Sequence, residues 1–76
     1  MKYETSDLYF AAFLMVAKVP FLEFLKEEGR VKFRFSHPGS HVIRELKSEY
    51  FSGVGKVSAL SFSQSLKFLK SGIKSD

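Results

Sequence analysis

The chain has 76 residues, 45% of them hydrophobic and 26% charged, which predicts one small folded domain over residues 1–76 and excludes a disordered chain. It has no cysteine, so disulfides, thiolate metal sites and cysteine nucleophiles are all excluded. The formal net charge is +4, and most of the acidic residues precede residue 30, so the positive excess belongs to the later part of the chain.

The first predicted element is a helix from about Ser6 to Ala17, after a short lead-in over residues 1–5. Thr5 and Ser6 are both suitable N-caps, and Asp7 adds a negative charge that a helix start favours. The helix should end before Val19-Pro20, because a residue before proline is pushed out of the helical region.

This helix is apolar nearly all round, whereas a small domain normally covers one side of a helix. Leu8, Ala12 and Met15 share one face and should contact the hairpin that follows. Phe10 and Phe13 lie on the other side, where they must contact either the final helix or a second copy of the chain. Phe10 and Phe13 are therefore the candidate residues for self-association as a homodimer.

Residues 21–26 and 31–36 are predicted to form a hairpin, with Glu28-Gly29 as its two-residue turn. This register places apolar side chains on one face and opposite charges together on the other. The predicted cross-strand pairs are Phe24 with Phe33, Leu22 with Phe35, Glu23 with Arg34, and Glu27 with Arg30.

A Pro-Gly turn at residues 37–41 leads to a second helix over about residues 41–51, with Gly53 as its end signal. Ser58 is the cap candidate for a third, amphipathic helix over about residues 59–71. The predicted fold class is α+β: a two-stranded antiparallel hairpin packed on three helices, in the order α-β-β-α-α.

The opening segment, Tyr3-Glu4-Thr5-Ser6-Asp7-Leu8-Tyr9-Phe10-Ala11-Ala12-Phe13-Leu14, resembles a family of small uncharacterised prokaryotic and phage-associated proteins. In that family a Tyr-x-Thr-x-Asp-Leu-x-x-Ala segment precedes a charged hairpin and two helices. Val57-Ser58-Ala59-Leu60-Ser61-Phe62 is similar to the start of its last helix, while His37-Pro38-Gly39 stands where acidic residues are expected. The resemblance implies a domain of unknown function and carries over no catalytic residue, ligand or cofactor.

Catalytic patterns are scarce in this sequence. His37 and His41 are separated by a Pro-Gly turn and have no neighbouring acid or cysteine, so we predict no metal site. No serine has a convincing base nearby, and Gly53-Val54-Gly55-Lys56 is too short for a phosphate-binding loop. We expect no enzymatic activity and no cofactor.

Two groups of cations give the clearest functional signal. Arg30, Lys32 and Arg34 alternate along one strand, where Glu23 and Glu27 can neutralise two of them. A second stripe on the last helix consists of Lys67, Lys70 and Lys74. Both groups are candidate contacts for an anion or a nucleic acid. The alternative interpretation of both groups is ordinary solvated surface charge.

The longest apolar run, residues 8–17, is too short to cross a membrane, and acids rather than cations precede it. We therefore expect a cytoplasmic protein of a prokaryote or its virus, with no membrane partner. The predicted function is a small non-enzymatic binding or interaction module able to self-associate. The alternative is a nucleic-acid-binding accessory protein that uses the two basic groups.

Overall fold

A computed structural model describes residues 2–52 and 58–74 of the chain. In chain order the elements are β1 (Lys2–Thr5), α1 (Leu8–Val16), β2 (Phe21–Glu27), β3 (Arg30–Ser36), α2 (Ser40–Ser52) and α3 (Ala59–Lys74). The strands form one antiparallel sheet in the order β1-β3-β2, and the helices pack on one of its faces.

The predicted two-stranded sheet and the order α-β-β-α-α are wrong, because the first residues form a third strand instead of a lead-in. Tyr3 pairs with Phe35, and Glu4 pairs with Arg34 on the opposite face. The alternation of the two faces along β1 therefore matches that of β3, which becomes the central strand.

The hairpin register is confirmed near the turn, where Phe24 pairs with Phe33 and Glu23 with Arg34. Glu28 and Gly29 have φ of 47° and 79°, and two successive positive values define a type I′ turn. The pairing of Leu22 with Phe35 is wrong, because a register shift between residues 21 and 23 puts Phe21 opposite Phe35.

Phe33 and Phe35 are almost fully buried on the inner face of the sheet, as predicted, and Phe24 is half-buried beside them. The Phe24 ring packs against Gly72 of α3, where a methyl group would overlap it. Helix α3 runs through Gly72 to Lys74, three residues beyond the predicted end at Ser71.

Helix α1 lies in the middle of the domain. Its residues 10–14 are all buried, and at about 100° per residue these five positions cover every side of the helix. It contacts β1, α2 and α3, so the chain itself sandwiches this helix. Met15, one of the residues predicted to contact the hairpin, lines a groove together with residues of α3.

The rings of Phe10 and Phe13 stack at 6.3 Å and are covered by Tyr50 of α2, at 5.4 and 5.5 Å. Tyr50 of α2 is a cover that the sequence did not predict, beside the contact of α1 with the final helix. Both rings are 5% exposed or less within one chain, so they are not accessible to a second copy. Burial is the main cause that raises the pKa of the Tyr50 hydroxyl.

The ends of α1 differ from prediction. Asp7, not Thr5 or Ser6, is the N-cap, and its carboxylate accepts a hydrogen bond from the Phe10 amide at 3.0 Å. At the other end the Lys18 amide donates to the Met15 carbonyl and the Val19 amide to the Leu14 carbonyl, both at 3.0 Å. These two bonds form a Schellman motif, with Lys18 in the left-handed conformation at φ 71°.

The last helix begins as predicted, because the Ser58 hydroxyl accepts from the Ser61 amide at 3.3 Å. Helix α2 covers the predicted segment with one more residue at each end. The predicted helix-ending role of Gly53 lies outside the described residues.

Candidate functional site

The outer face of the sheet carries an ion-pair network centred on Arg34. Its Nη1 donates to Glu23 of β2 at 2.7 Å, and its Nε and Nη2 donate to Glu4 of β1 at 3.1 and 2.9 Å. The hydrogen bond to Glu4 is the largest cause that raises the pKa of Arg34, and Glu23 adds to it. The network ties the central strand to both of its neighbours, so Arg34 is already engaged.

Of the other two cations of the strand, one lies opposite an acidic residue. Arg30 pairs with Glu27, while Lys32 lies opposite Leu25 and not opposite an acid. A shallow hollow of about 420 Å³ beside the turn is lined by Glu27, Glu28, Arg30 and Lys32, two carboxylates against two cations. This face therefore has little excess positive charge to attract a phosphate backbone.

The second basic group lies elsewhere. Lys67 and Lys70 are exposed on α3, which belongs to the helical layer under the inner face of the sheet, and the side chain of Lys74 lies outside the described part. Arg30, Lys32 and Arg34 project from the outer face. The five predicted cations whose side chains are described therefore occupy two separate surfaces and do not form one patch.

A second concave feature lies between the end of α1 and α3. Its volume is about 370 Å³, and it is open to solvent along one side. Apolar and polar side chains both line it, and its lining residues are Met15, Val16, Lys18, Ser61, Gln64, Ser65 and Phe68. We refer to it as the α1–α3 groove.

Phe68 is the main apolar group of this groove. Its side chain is 48% exposed, yet its ring packs edge-on against Phe21 at 5.6 Å and lies 5.9 Å from Phe24. Phe68 is therefore held in place from below while its outer surface stays in water. Phe68 was not predicted as a site residue, because it falls outside the apolar stripe of α3, which consists of Ala59, Phe62, Leu66, Leu69 and Ile73. That displacement is the one signal that could have identified it.

His37 has a structural role in the turn before α2. Its Nδ1 accepts a hydrogen bond from the Gly39 amide at 2.9 Å, and its ring meets Tyr3 edge-on at 5.9 Å. Among the described residues, no three His, Cys, Asp or Glu side chains are grouped to hold a metal ion.

Within the described ranges, every helix is too short or too polar to cross a membrane. Comparisons with known protein families, with curated proteins and with solved structures find no match for this chain. The resemblance of the opening segment to an uncharacterised family therefore stays a prediction.

Proposed function

We propose that this protein is a small, non-enzymatic interaction module that docks a partner protein in the α1–α3 groove. The observation that carries the proposal is the half-exposed ring of Phe68, fixed against Phe21 and Phe24 at the edge of a concave surface. Rigid aromatic groups beside a hollow are the usual centres of protein interfaces.

The shape of the groove favours a protein partner over a small molecule. Its volume of about 370 Å³ accommodates one or two side chains. Because it is open along one side, it cannot enclose most of the surface of a free small ligand, as small-molecule pockets do. A side chain presented by a folded or extended peptide needs no such enclosure.

The test is selection of a random-peptide phage library on the immobilised protein, followed by binding measurements with the selected peptides. Phe68→Ser should weaken binding at least about tenfold, which is roughly 1.4 kcal/mol. Leu60→Ser is the matched control, because Leu60 is an exposed apolar residue of the same helix that does not line the groove. Circular dichroism and thermal melts would establish that both variants fold.

Failure to select any peptide that depends on Phe68 would overturn the proposal. Light scattering of the wild type and of Phe68→Ser gives a second outcome. A dimer that is lost on substitution of Phe68 would make a second copy of this chain the occupant.

A second candidate function, nucleic-acid binding, is favoured by the composition of α3, which has Lys67, Lys70 and Lys74 and no acidic residue. A titration with DNA and RNA oligonucleotides at about 50 and 200 mM salt tests it, because phosphate contacts weaken steeply with salt. Replacement of Lys67 and Lys70 by Glu should abolish binding, whereas Lys32→Glu should leave it unchanged. Absence of binding at the lower salt would reject this function.

A further inference from the structure

We infer that the partner segment recognised by the α1–α3 groove is acidic and carries an apolar side chain as its anchor, and that the ammonium of Lys18 attracts its carboxylates. The inference rests on the proposed function, because it names the chemistry of the ligand for the same groove.

The groove offers hydrogen-bond donors and one cation, and no carboxylate lines it. The donors are the hydroxyls of Ser61 and Ser65 and the amide of Gln64, and the cation is the ammonium of Lys18. The hydroxyls and the amide can donate to carboxylate oxygens but can also accept hydrogen bonds, so the ammonium of Lys18 is the group that disfavours a basic ligand. The apolar surface of Met15 and Phe68 beside it fits an aliphatic or aromatic side chain.

The backbone around Lys18 supports a role for its side chain. Lys18 has φ 71°, a left-handed conformation that costs a non-glycine residue about 1 kcal/mol and that glycine adopts freely. A lysine at this helix end therefore reduces stability, and strained residues of this kind cluster at binding sites.

The charge of the groove itself comes from Lys18. Helix α3 has three lysines and no acidic residue, but neither Lys67 nor Lys70 lines the groove. Lys18 attracts acidic segments and disfavours basic ones. A nucleic acid would satisfy this charge but has no aliphatic group for the apolar surface of Met15 and Phe68.

The experiment is a parallel selection of the same random-peptide library on the wild type, on Lys18→Glu and on Lys32→Glu. Lysine and glutamate are both unbranched non-glycine residues, so the first change reverses the charge with little effect on the strained turn. Lys32→Glu is the matched control, because it makes the same change on the outer face of the sheet.

We expect the wild type and Lys32→Glu to enrich peptides in which Asp or Glu flanks a Leu, Ile, Phe or Trp. Those peptides should bind Lys18→Glu about tenfold more weakly, and Lys18→Glu should instead enrich basic residues around the same anchor. Polyglutamate, which has the charge without the anchor, should not compete with them.

Two results would overturn the inference while leaving the proposed function in place. One is a set of Phe68-dependent peptides without acidic enrichment, and the other is acidic peptides that bind Lys18→Glu as well as the wild type. Competition by polyglutamate would also overturn it, because charge alone would then explain the binding. Failure of the proposed function looks different, since no selected peptide would then depend on Phe68.

Discussion

Helices α1 and α3 both carry many apolar residues, but the structure uses them in opposite ways. Helix α1 is apolar all round, and its residues 10–14 are fully enclosed by the chain. Helix α3 has a regular one-sided pattern, yet it leaves Leu60 and Phe68 68% and 48% exposed. The helix that is apolar all round, α1, therefore lies at the centre of this fold. The proposed binding surface lies on α3, which has the regular amphipathic pattern.

Small side chains explain why α1 can be the central helix. Ala11 and Ala12 are both 0% exposed, and their methyl groups let neighbouring elements approach the helix axis closely. Phe10 and Phe13 then fill the space toward α2. Helix α3 lies at the outside of the layer and needs to bury only one stripe, of which Leu69 is the buried centre.

The largest effect on folding is expected when α1 is made polar on the side that faces α2. Replacing Phe10 and Phe13 together by Ser should abolish folding, because each buried Phe contributes about 3–5 kcal/mol and small domains have about 5–15 kcal/mol in total. Circular dichroism and size-exclusion chromatography would measure the loss. A folded monomer obtained from a dimeric wild type would contradict this reading and make the two rings an interface.

A single substitution in each layer gives the next largest contrast. Phe33→Ala should lower the free energy of unfolding by about 3–5 kcal/mol, because its side chain is 1% exposed at the centre of the sheet. Phe68→Ala should cost about 1 kcal/mol, since half of its ring is already in water. Urea denaturation of both variants measures the difference. Equal losses would mean that Phe68 belongs to the core and not to a binding surface.

The hairpin could be predicted from the sequence because its signals are local. Gly29 permits the turn, and the register that pairs Phe24 with Phe33 also pairs Glu23 with Arg34. Strand β1 could not be predicted in this way, because it has four residues and its partner strand lies about 30 positions later. The ion pair of Glu4 with Arg34 forms only when the two strands lie side by side in the folded chain.

The α1–α3 groove could not be predicted from the sequence either, because the elements that form it are far apart along the chain. Its two walls come from residues 15–18 and 61–68, which no short-range pattern connects. The basic residues were visible in the sequence, but their separation onto two surfaces depends on which way the strand faces. Local rules therefore predict the elements well, whereas the site depends on how distant elements pack.

Gly72 tests the packing of α3 on the sheet. Gly72→Ala should lower the free energy of unfolding by about 1–3 kcal/mol, because the new methyl group would overlap the Phe24 ring and force it to move. Ser71→Ala is the matched control on the exposed neighbour, and it should raise stability by a few tenths of a kcal/mol through helix propensity alone (roughly 0.5 or less). If both substitutions stabilised the protein, the contact between Gly72 and Phe24 would be disproved.

The smallest predicted effect on stability concerns Lys18, at the point where α1 ends and the groove begins. Lys18→Gly should raise the free energy of unfolding by up to about 1 kcal/mol, because glycine adopts the left-handed conformation of residue 18 without a steric cost. The same substitution removes the ammonium group from the groove, so it should weaken the selected acidic peptides while the protein becomes more stable. Lys18→Gln separates the two effects, since glutamine lacks the charge but keeps the steric cost of the left-handed conformation. Thermal melts and peptide titrations on the same samples measure both quantities. A loss of stability in Lys18→Gly would mean that the lysine side chain supports the fold, and the strained backbone would then no longer indicate a binding role.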